Sequence, residues 1–311
     1  MDKIYFHLPG FYHHYGFNLL FIEYFRNNKE KFYDNIEIGS VFDSFPGCIW
    51  DGGRIFGEEL ENNLVLHPLK MKQIITEFNN LDVPCRFTFS NSLLEKRHLS
   101  DQLGTLILQL AYNGDNQVIV NSPLFEEYIR KNYPKYPLVS STTKVLRGIE
   151  DLQTELNKDY FLVVADISFN NTDDLFKLNH KEKCEILLND TCAAKCACRQ
   201  KHYQCYSEVN LREKNIEDIP KFECIHPEIK EKTFYELIKT NPSHITVEDL
   251  YNKYVPAGFR HFKMIGRSDW DLAIAEYYLY YMVKSEYQTE VLSQLIRFIK
   301  MAGSLNDSLY E

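Results

Sequence analysis

The stretch QVIVNSPLFEEYIRKNYPKYPLVSSTT, residues 117–143, is the part of the sequence that decides the fold. It begins with a β-branched run, continues through a serine–proline pair into an amphipathic segment, and ends in a second β-branched run. Ser122 followed by Pro123 is typical of a helix start, because serine caps free backbone N–H groups and proline fits the first helical position. The stretch therefore predicts a strand, a helix and a second strand, as in a parallel sheet.

Eight short strands of this kind are predicted along the chain. Each is rich in β-branched or aromatic residues, ends in polar residues and is followed by a helix-like segment. The predicted strands begin at Ile4, Asn35, Cys85, Gln117, Pro137, Phe161, Cys184 and His261. Eight such units predict an α/β fold, a (β/α)8 TIM-like barrel, as a single domain over residues 1–311. An open doubly wound sheet is the alternative, but no glycine-rich phosphate loop follows the first strand.

Composition narrows the class of protein. With 44% hydrophobic and 14% aromatic residues the chain should fold, and no apolar run reaches the roughly 18 residues of a membrane-spanning helix. The first ten residues lack a basic leader followed by an apolar stretch, so a soluble, cytoplasmic protein is expected. The formal charge of -9 argues against broad nucleic-acid binding, which requires a basic face. In a reducing compartment the eight cysteines are expected to be thiols or metal ligands.

Six of the eight cysteines fall between Cys184 and Cys224, in and after the seventh predicted strand. About seventy residues separate the seventh and eighth strands, and residues 190–255 of this gap are predicted to form a metal-binding cap over the barrel mouth. Thiolates bind zinc or iron through sulfur. The predicted ligands are Cys192, Cys196, Cys205 and Cys224, with Cys198 and His202 as rivals for one place. The spacing of these cysteines is compatible with either a 4Fe–4S cluster or zinc.

Cationic side chains lie on predicted strands near the barrel mouth, where barrel enzymes place their active sites. Strand alternation puts Arg86 on one face of the third strand and both Lys263 and Arg267 on one face of the eighth. An unpaired buried charge is costly. These cations are therefore expected either to pair with carboxylates such as Glu37 and Asp166 or to hold an anionic ligand.

His7 and Asp51 are further candidates for contact with a substrate, because each ends a strand or opens a loop. Arginine suits two-point contact with a carboxylate or phosphate, which predicts an anionic small molecule or peptide as the substrate. The sequence contains no G-x-S-x-G, H-E-x-x-H or Walker motif, so it indicates no catalytic nucleophile.

The segment YVPAGFRHFKMIGR, residues 254–267, resembles the GV-x-SFKIEGR segment of the collagenase-like peptidase family. The matching residues are Gly258, Phe262, Lys263, Gly266 and Arg267. The resemblance implies a (β/α)8-type barrel. The better-studied relatives of that family are iron–sulfur proteins that support oxygen-independent hydroxylation of ubiquinone precursors or of RNA, with four cysteines holding a 4Fe–4S cluster.

The segment NDTCAAKCACRQKHY, residues 189–203, is similar to the N-x2-C-x3-C-x2-R-x2-H run of little-characterised bacterial proteins related to that family. The matching residues are Asn189, Cys192, Cys196, Arg199 and His202. The spacing of the cysteines differs from that of the hydroxylases, and the glycine-rich stretch around their cysteines is missing here. The resemblance implies a last ligand upstream of the eighth strand, which favours Cys224 over Cys198.

Three functions follow from these observations. The leading expectation is an iron–sulfur barrel enzyme acting on an anionic small molecule or peptide, with oxygen-independent hydroxylation implied by the resemblance alone. The first alternative is a zinc-stabilised barrel with hydrolase or peptidase-like activity. The second is a non-catalytic binding subunit. A redox partner or partner subunit is the expected protein partner.

Overall fold

The computed structural model describes residues 2–54, 66–214, 224–307 and 309. Eight parallel strands pair in chain order, and pairing of the first with the last closes a barrel, with Tyr5 opposite His261 and His7 opposite Lys263. The strands are β1 Ile4–Pro9, β2 Ile36–Asp43, β3 Cys85–Phe87, β4 Gln117–Val120, β5 Leu138–Ser140, β6 Leu162–Val164, β7 Cys184–Leu187 and β8 His261–Lys263. The eight predicted strands and the (β/α)8 fold are confirmed, and closure excludes the open sheet.

Helices connect the strands. The α-helices in the described ranges are Tyr15–Asn27, Pro68–Asn80, Gln102–Leu110, Pro123–Asn132, Ile149–Leu156, Arg199–Leu211, Pro227–Lys230, Phe234–Thr240, Val247–Asp249, Asp271–Met282 and Gln288–Asp307, and a π-helix, Leu250–Tyr254, follows Asp249. Between β6 and β7 the chain makes three short 3-10 turns instead, Ile167–Phe169, Leu175–Lys177 and Lys181–Lys183. None of the helices in the described ranges has the length and apolar character needed to cross a bilayer.

The helix that follows β4 begins where the sequence predicts. The Ser122 hydroxyl accepts from the Phe125 backbone N–H, and Pro123 occupies the first turn. Phe125 and Ile129, four residues apart on one helical face, are buried. Ser268 and Asp271 have the S-x-x-D spacing of a capped helix start, which predicts a second cap of this kind. This prediction is wrong. Residues 266–269 form a turn closed by a backbone hydrogen bond, so the helix starts only at Asp271.

The tyrosine-rich helix Asp271–Met282 packs inward. Tyr278 is buried against Phe21, with ring centroids 4.4 Å apart, and its hydroxyl donates to Asn18 Oδ1 at 2.7 Å. The Tyr281 hydroxyl donates to the Ile245 carbonyl at 2.9 Å. Buried tyrosines need such partners for their hydroxyl groups. The helix is therefore part of the core that supports the barrel.

The predicted cap segment includes the Arg199–Leu211 helix, which lies over the loops that follow β2 and β3. Asn210 donates from Nδ2 to the carbonyls of Asp51 and Arg54, both at 2.8 Å. The Ser207 carbonyl accepts from Asn91 Nδ2 at 3.0 Å. These bonds join the insertion to the carboxyl-terminal end of the barrel.

Candidate functional site

A buried charge network fills the barrel below its mouth. Arg86 on β3 forms an ion pair with Glu185 on β7, and both side chains are fully buried. Arg86 also donates from Nε to Gln117 Oε1 at 2.7 Å, and its Nη2 lies 3.0 Å from His7 Nδ1. A buried guanidinium held on several sides is well compensated. Arg86 is thus paired internally, one of the two roles that the sequence left open.

His7 belongs to the same network. Its Nδ1 lies 2.8 Å from Ser40 Oγ, and its Nε2 lies 3.0 Å from His261 Nδ1 and 3.3 Å from Glu185 Oε2. Burial, followed by the charge of Arg86, lowers the pKa of His7 well below its usual value. Burial lowers the pKa of His261 to about 4. Both imidazoles are therefore neutral at neutral pH.

Lys263 extends this network to the mouth of the barrel. Its side chain is 8% exposed, and its Nζ lies 4.0 Å from Glu185 Oε1 and 3.9 Å from the centroid of the Phe42 ring. Burial lowers the pKa of Lys263 to about 7, with the charges of Arg86 and Arg267 acting in the same direction and Glu185 against it. A large fraction of this amine is therefore uncharged at neutral pH.

Arg267, beyond the end of β8, is anchored by acceptors from two other loops. Its Nη1 donates to Thr88 Oγ1 at 2.7 Å and lies 3.5 Å from Asp51 Oδ2 and 3.8 Å from Asp43 Oδ1. Arg54 Nη2 lies 3.2 Å from the same Asp43 oxygen. Burial alone would raise the pKa of Asp43, but Arg54 and the other nearby cations hold it well below the usual range.

Gly53 makes room for the Arg267 guanidinium. A Cβ at position 53 would lie 2.6 Å from Arg267 Nη2, closer than side-chain atoms approach. Within the described part of the chain Nη2 donates no hydrogen bond, and both residues line the same cavity. Arg267 therefore has one anchored nitrogen and a second nitrogen that remains available to a ligand.

The opposite wall comes from the ends of β6 and β7 and the insertion. Arg199 donates from Nη2 to Asp190 Oδ2 at 2.6 Å, its Nε lies 3.3 Å from Asp166 Oδ2, and its guanidinium covers the Tyr203 ring at 5.3 Å. Burial alone would raise the pKa of Asp190, but Arg199 outweighs it and lowers the pKa. Asp190 also accepts from the Cys192 backbone N–H at 2.9 Å. The insertion is thus joined to the strand ends through an ionised carboxylate.

A cavity of about 310 Å³ lies between these walls, at the carboxyl ends of the strands. Active sites of (β/α)8 enzymes occupy this end of the barrel. The charged residues on its wall are Arg54, Asp190, Arg199, Lys263, Arg267 and Asp269. Three arginines and the partly uncharged Lys263 share the wall with two carboxylates, and further carboxylates lie behind it. Arg54 and Arg199 are paired with carboxylates, so Arg267 is the group on this wall that favours an anionic ligand.

The cysteines are only partly gathered at this cavity. The cavity is lined by Cys192, Cys224 and His202. Cys196 lies close enough to Cys192 to interact electrostatically with its thiol. Tyr206 has electrostatic interactions with both Cys205 and Cys224. All eight cysteines are free thiols. Burial raises the pKa of Cys192 to about 11, so this thiol is protonated at neutral pH.

The fit of the cysteines to a metal is therefore incomplete. Among residues 2–54, 66–214, 224–307 and 309, no three histidine, cysteine or acidic side chains come close enough together to hold an ion. A 4Fe–4S cluster needs several thiolates around one point. The arrangement of the described residues does not fit such a cluster.

The predicted substrate residues occupy two levels of the barrel. Lys263 and Arg267 line the cavity. Asp51 lies directly behind the wall and contacts Arg267. His7 and Arg86 lie deeper, in the interior network, and neither lines the cavity. The structure thus joins three of the five predicted residues at the mouth and places the other two beneath them.

Five charged residues of the site were missed from the sequence, namely Asp43, Arg54, Glu185, Asp190 and Asp269. Asp43 is the last residue of β2 and Asp190 lies just beyond β7, so strand ends alone could have indicated both. Glu185 is a charged residue within the buried strand CEIL, and this unusual position could have indicated a buried ion pair. Arg54 follows two glycines in a long gap, which gave no signal for its pairing with Asp43.

The sequence matches no protein-family profile and no curated protein. The fold is similar to a solved structure, that of the U32 peptidase Mk0906, with a TM-score of 0.51 over 85% of this chain and 92% of that chain. The two sequences are 10% identical, so the similarity concerns the fold alone. The similarity supports the barrel fold that the resemblance implies.

Proposed function

We propose that this protein is a (β/α)8-barrel enzyme that binds a small molecule or peptide through an anionic group at the mouth of the barrel. The observation that carries the proposal is Arg267, which is anchored through Nη1 and faces the cavity with Nη2. A guanidinium forms strong, directional hydrogen bonds to carboxylates and phosphates.

The surroundings of Arg267 prepare it for an anion of low charge. Thr88 and Asp51 hold the guanidinium in place, so little side-chain freedom is lost when a ligand binds. Asp43 and Asp51 lie behind it and reduce the positive charge of the site. This balance favours a carboxylate or a single phosphate group over a polyphosphate.

Calorimetric titration with acetate and inorganic phosphate tests the anion site. At least one anion should bind the purified protein, and Arg267→Gln should weaken it by about tenfold or more, the typical loss of a charged hydrogen bond. Arg130→Gln, on the barrel surface where Arg130 pairs with Glu126, is the matched control and should bind normally. Equal binding by a folded Arg267→Gln protein would overturn the proposal.

An iron–sulfur cluster is a separate part of the proposal, with oxygen-independent hydroxylation as its reaction. Its support is the family resemblance and the presence of Cys192 and Cys224 on one cavity wall. The segments carrying Cys196 and Cys205 would have to approach that wall to complete the ligand set. A reducing cytoplasm suits such thiols. Hydroxylation without oxygen removes two electrons from the substrate, and a redox partner would accept them.

Metal analysis after anaerobic purification separates the alternatives. Iron, sulfide and broad visible absorption are expected for the cluster, whereas a colourless protein with stoichiometric zinc would refute it. Zinc would favour the second candidate, a hydrolase or peptidase-like enzyme, which the similarity in fold to a U32 peptidase supports. Release of peptide fragments by the wild type, and their loss in Arg267→Gln, would establish that activity. Anion binding without turnover of any substrate would indicate a binding subunit.

A further inference from the structure

We propose that Lys263 is a nucleophile that forms an imine with a carbonyl compound, such as an aldehyde or 2-oxo acid, whose anionic group is held by Arg267. The inference deepens the proposed function and rests on it for the anionic part of the ligand. It assigns the reactive group of the cavity and the chemical class of its substrate.

The position of the Lys263 amine carries the argument. The stem of Lys263 is buried, while its Nζ reaches the cavity and makes no hydrogen bond in the described ranges. The Phe42 ring lies on one side at 3.9 Å, and Glu185 Oε1 lies at 4.0 Å, beyond hydrogen-bond distance. A lysine that only stabilised the fold would have its three N–H groups satisfied. This amine is held in place and left open toward the ligand space.

The charge state of Lys263 agrees with this role. An amine attacks a carbonyl only when its lone pair is free, and an ordinary lysine is almost fully protonated at neutral pH. Burial lowers the pKa of Lys263 to about 7. Desolvation beside other cations is an established way to activate a lysine for imine formation.

Arg267 and Lys263 face the same part of the cavity. The guanidinium carbon of Arg267 lies 5.9 Å from the centroid of the Phe42 ring that Lys263 Nζ covers at 3.9 Å. A compound whose carboxylate or phosphate lies a few bonds from its carbonyl can contact both groups. Ile119 and Val164 supply an apolar part of the same cavity wall.

The reaction balances without an added oxidant or reductant. The Nζ lone pair attacks the carbonyl carbon, a C–N bond forms, and the carbonyl π electrons move to oxygen, which takes up a proton. The resulting carbinolamine loses its hydroxyl group with one proton as water, and the C=N bond of the imine forms. One of the two protons of the neutral Nζ amine ends on the carbonyl oxygen and the other leaves with the hydroxyl group as water, so no other reactant is consumed.

Reductive trapping tests the inference. The whole protein is incubated with glyoxylate, an anionic aldehyde, and sodium borohydride, which converts an imine into a stable secondary amine. Peptide mapping by mass spectrometry should find the adduct at Lys263 at least about tenfold above any other lysine. Lys263→Met and Lys263→Arg should lose the adduct, and Lys253→Met, at an exposed lysine on another face, should keep it. Two different replacements keep the test valid if one fails to fold.

A neutral aldehyde separates this inference from the proposed function. Arg267→Gln should reduce trapping of glyoxylate by about tenfold or more relative to trapping of propionaldehyde, and this ratio cancels any effect of the lost charge on the Lys263 amine. Equal trapping of both aldehydes by the wild type would overturn the anionic class of substrate while retaining the nucleophile. Absence of preferential modification at Lys263 would overturn the nucleophile, and acetate titration would then show whether the anion site stands without it.

Discussion

Replacing Lys263 with methionine should change how the stability of the protein depends on pH. Lys263 is 8% exposed, and burial beside Arg86 and Arg267 lowers its pKa from 10.5 to about 7 although Glu185 opposes the shift. Between these two values the folded protein has released the Lys263 proton, whereas the unfolded chain still binds it. Stability must rise with pH wherever the unfolded state binds more protons.

The size of the effect follows from the shift. Each pKa unit corresponds to about 1.4 kcal/mol, and a range of about pH 7 to 9 lies within the interval between the two pKa values. The free energy of unfolding of the wild type should therefore increase by about 2 kcal/mol relative to Lys263→Met across that range. The comparison uses only the slope, so packing changes that do not depend on pH cancel.

Urea unfolding followed by circular dichroism at several pH values measures the two slopes. Lys253→Met removes an exposed lysine that pairs with Asp249 on the surface, and its slope should follow the wild type. Parallel curves for the wild type and Lys263→Met from about pH 7 to 9 would show that Lys263 stays protonated in the folded protein. That result would contradict the lowered pKa of Lys263 and would remove one argument for an uncharged amine in the cavity.

Three further predictions concern the network, the mouth and the cysteines. Glu185→Gln leaves the Arg86 guanidinium buried without its carboxylate, so the free energy of unfolding in urea should fall by about 3–5 kcal/mol; a loss below about 1 kcal/mol would contradict the pairing. Gly53→Ala places a Cβ against Arg267 Nη2 and forces the guanidinium to move, so acetate titration should show weaker binding, and unchanged binding would contradict the close approach. Cys192→Ser should abolish iron incorporation while retaining the fold if a cluster is present, whereas a strongly lowered melting temperature would favour structural zinc.

Most of the fold was readable from local patterns. Each strand is a short β-branched or aromatic run, and helix starts such as Ser122 with Pro123 depend on neighbouring residues alone. The same kind of signal was wrong at Ser268, because the loop after β8 first closes a turn beside the cavity. Local signals predict which elements exist more reliably than where they begin.

The candidate site was only partly readable. Strand alternation predicted Lys263 and Arg267 on one face, and both line the cavity. Only Lys263 lies on β8, however, and Arg267 lies in the turn of residues 266–269, so alternation along a strand is not what places it there. The same rule placed Arg86 near substrate, yet this guanidinium lies deeper and is paired internally. Alternation defines the side of a strand and contains no information about depth along the barrel axis.

Residue type and short-range spacing were enough to predict the eight strands, the two cavity-lining cations Lys263 and Arg267, and the concentration of thiols before β8. Tertiary structure alone decided that Glu185 neutralises Arg86 across the barrel, that Asp43 and Asp51 anchor Arg267, and that the Lys263 amine remains open. The physical reason is barrel closure, which brings together charges from strands far apart in the chain. Because an unpaired charge is costly when it is buried, these pairings then determine which groups are protonated and which can act on a ligand.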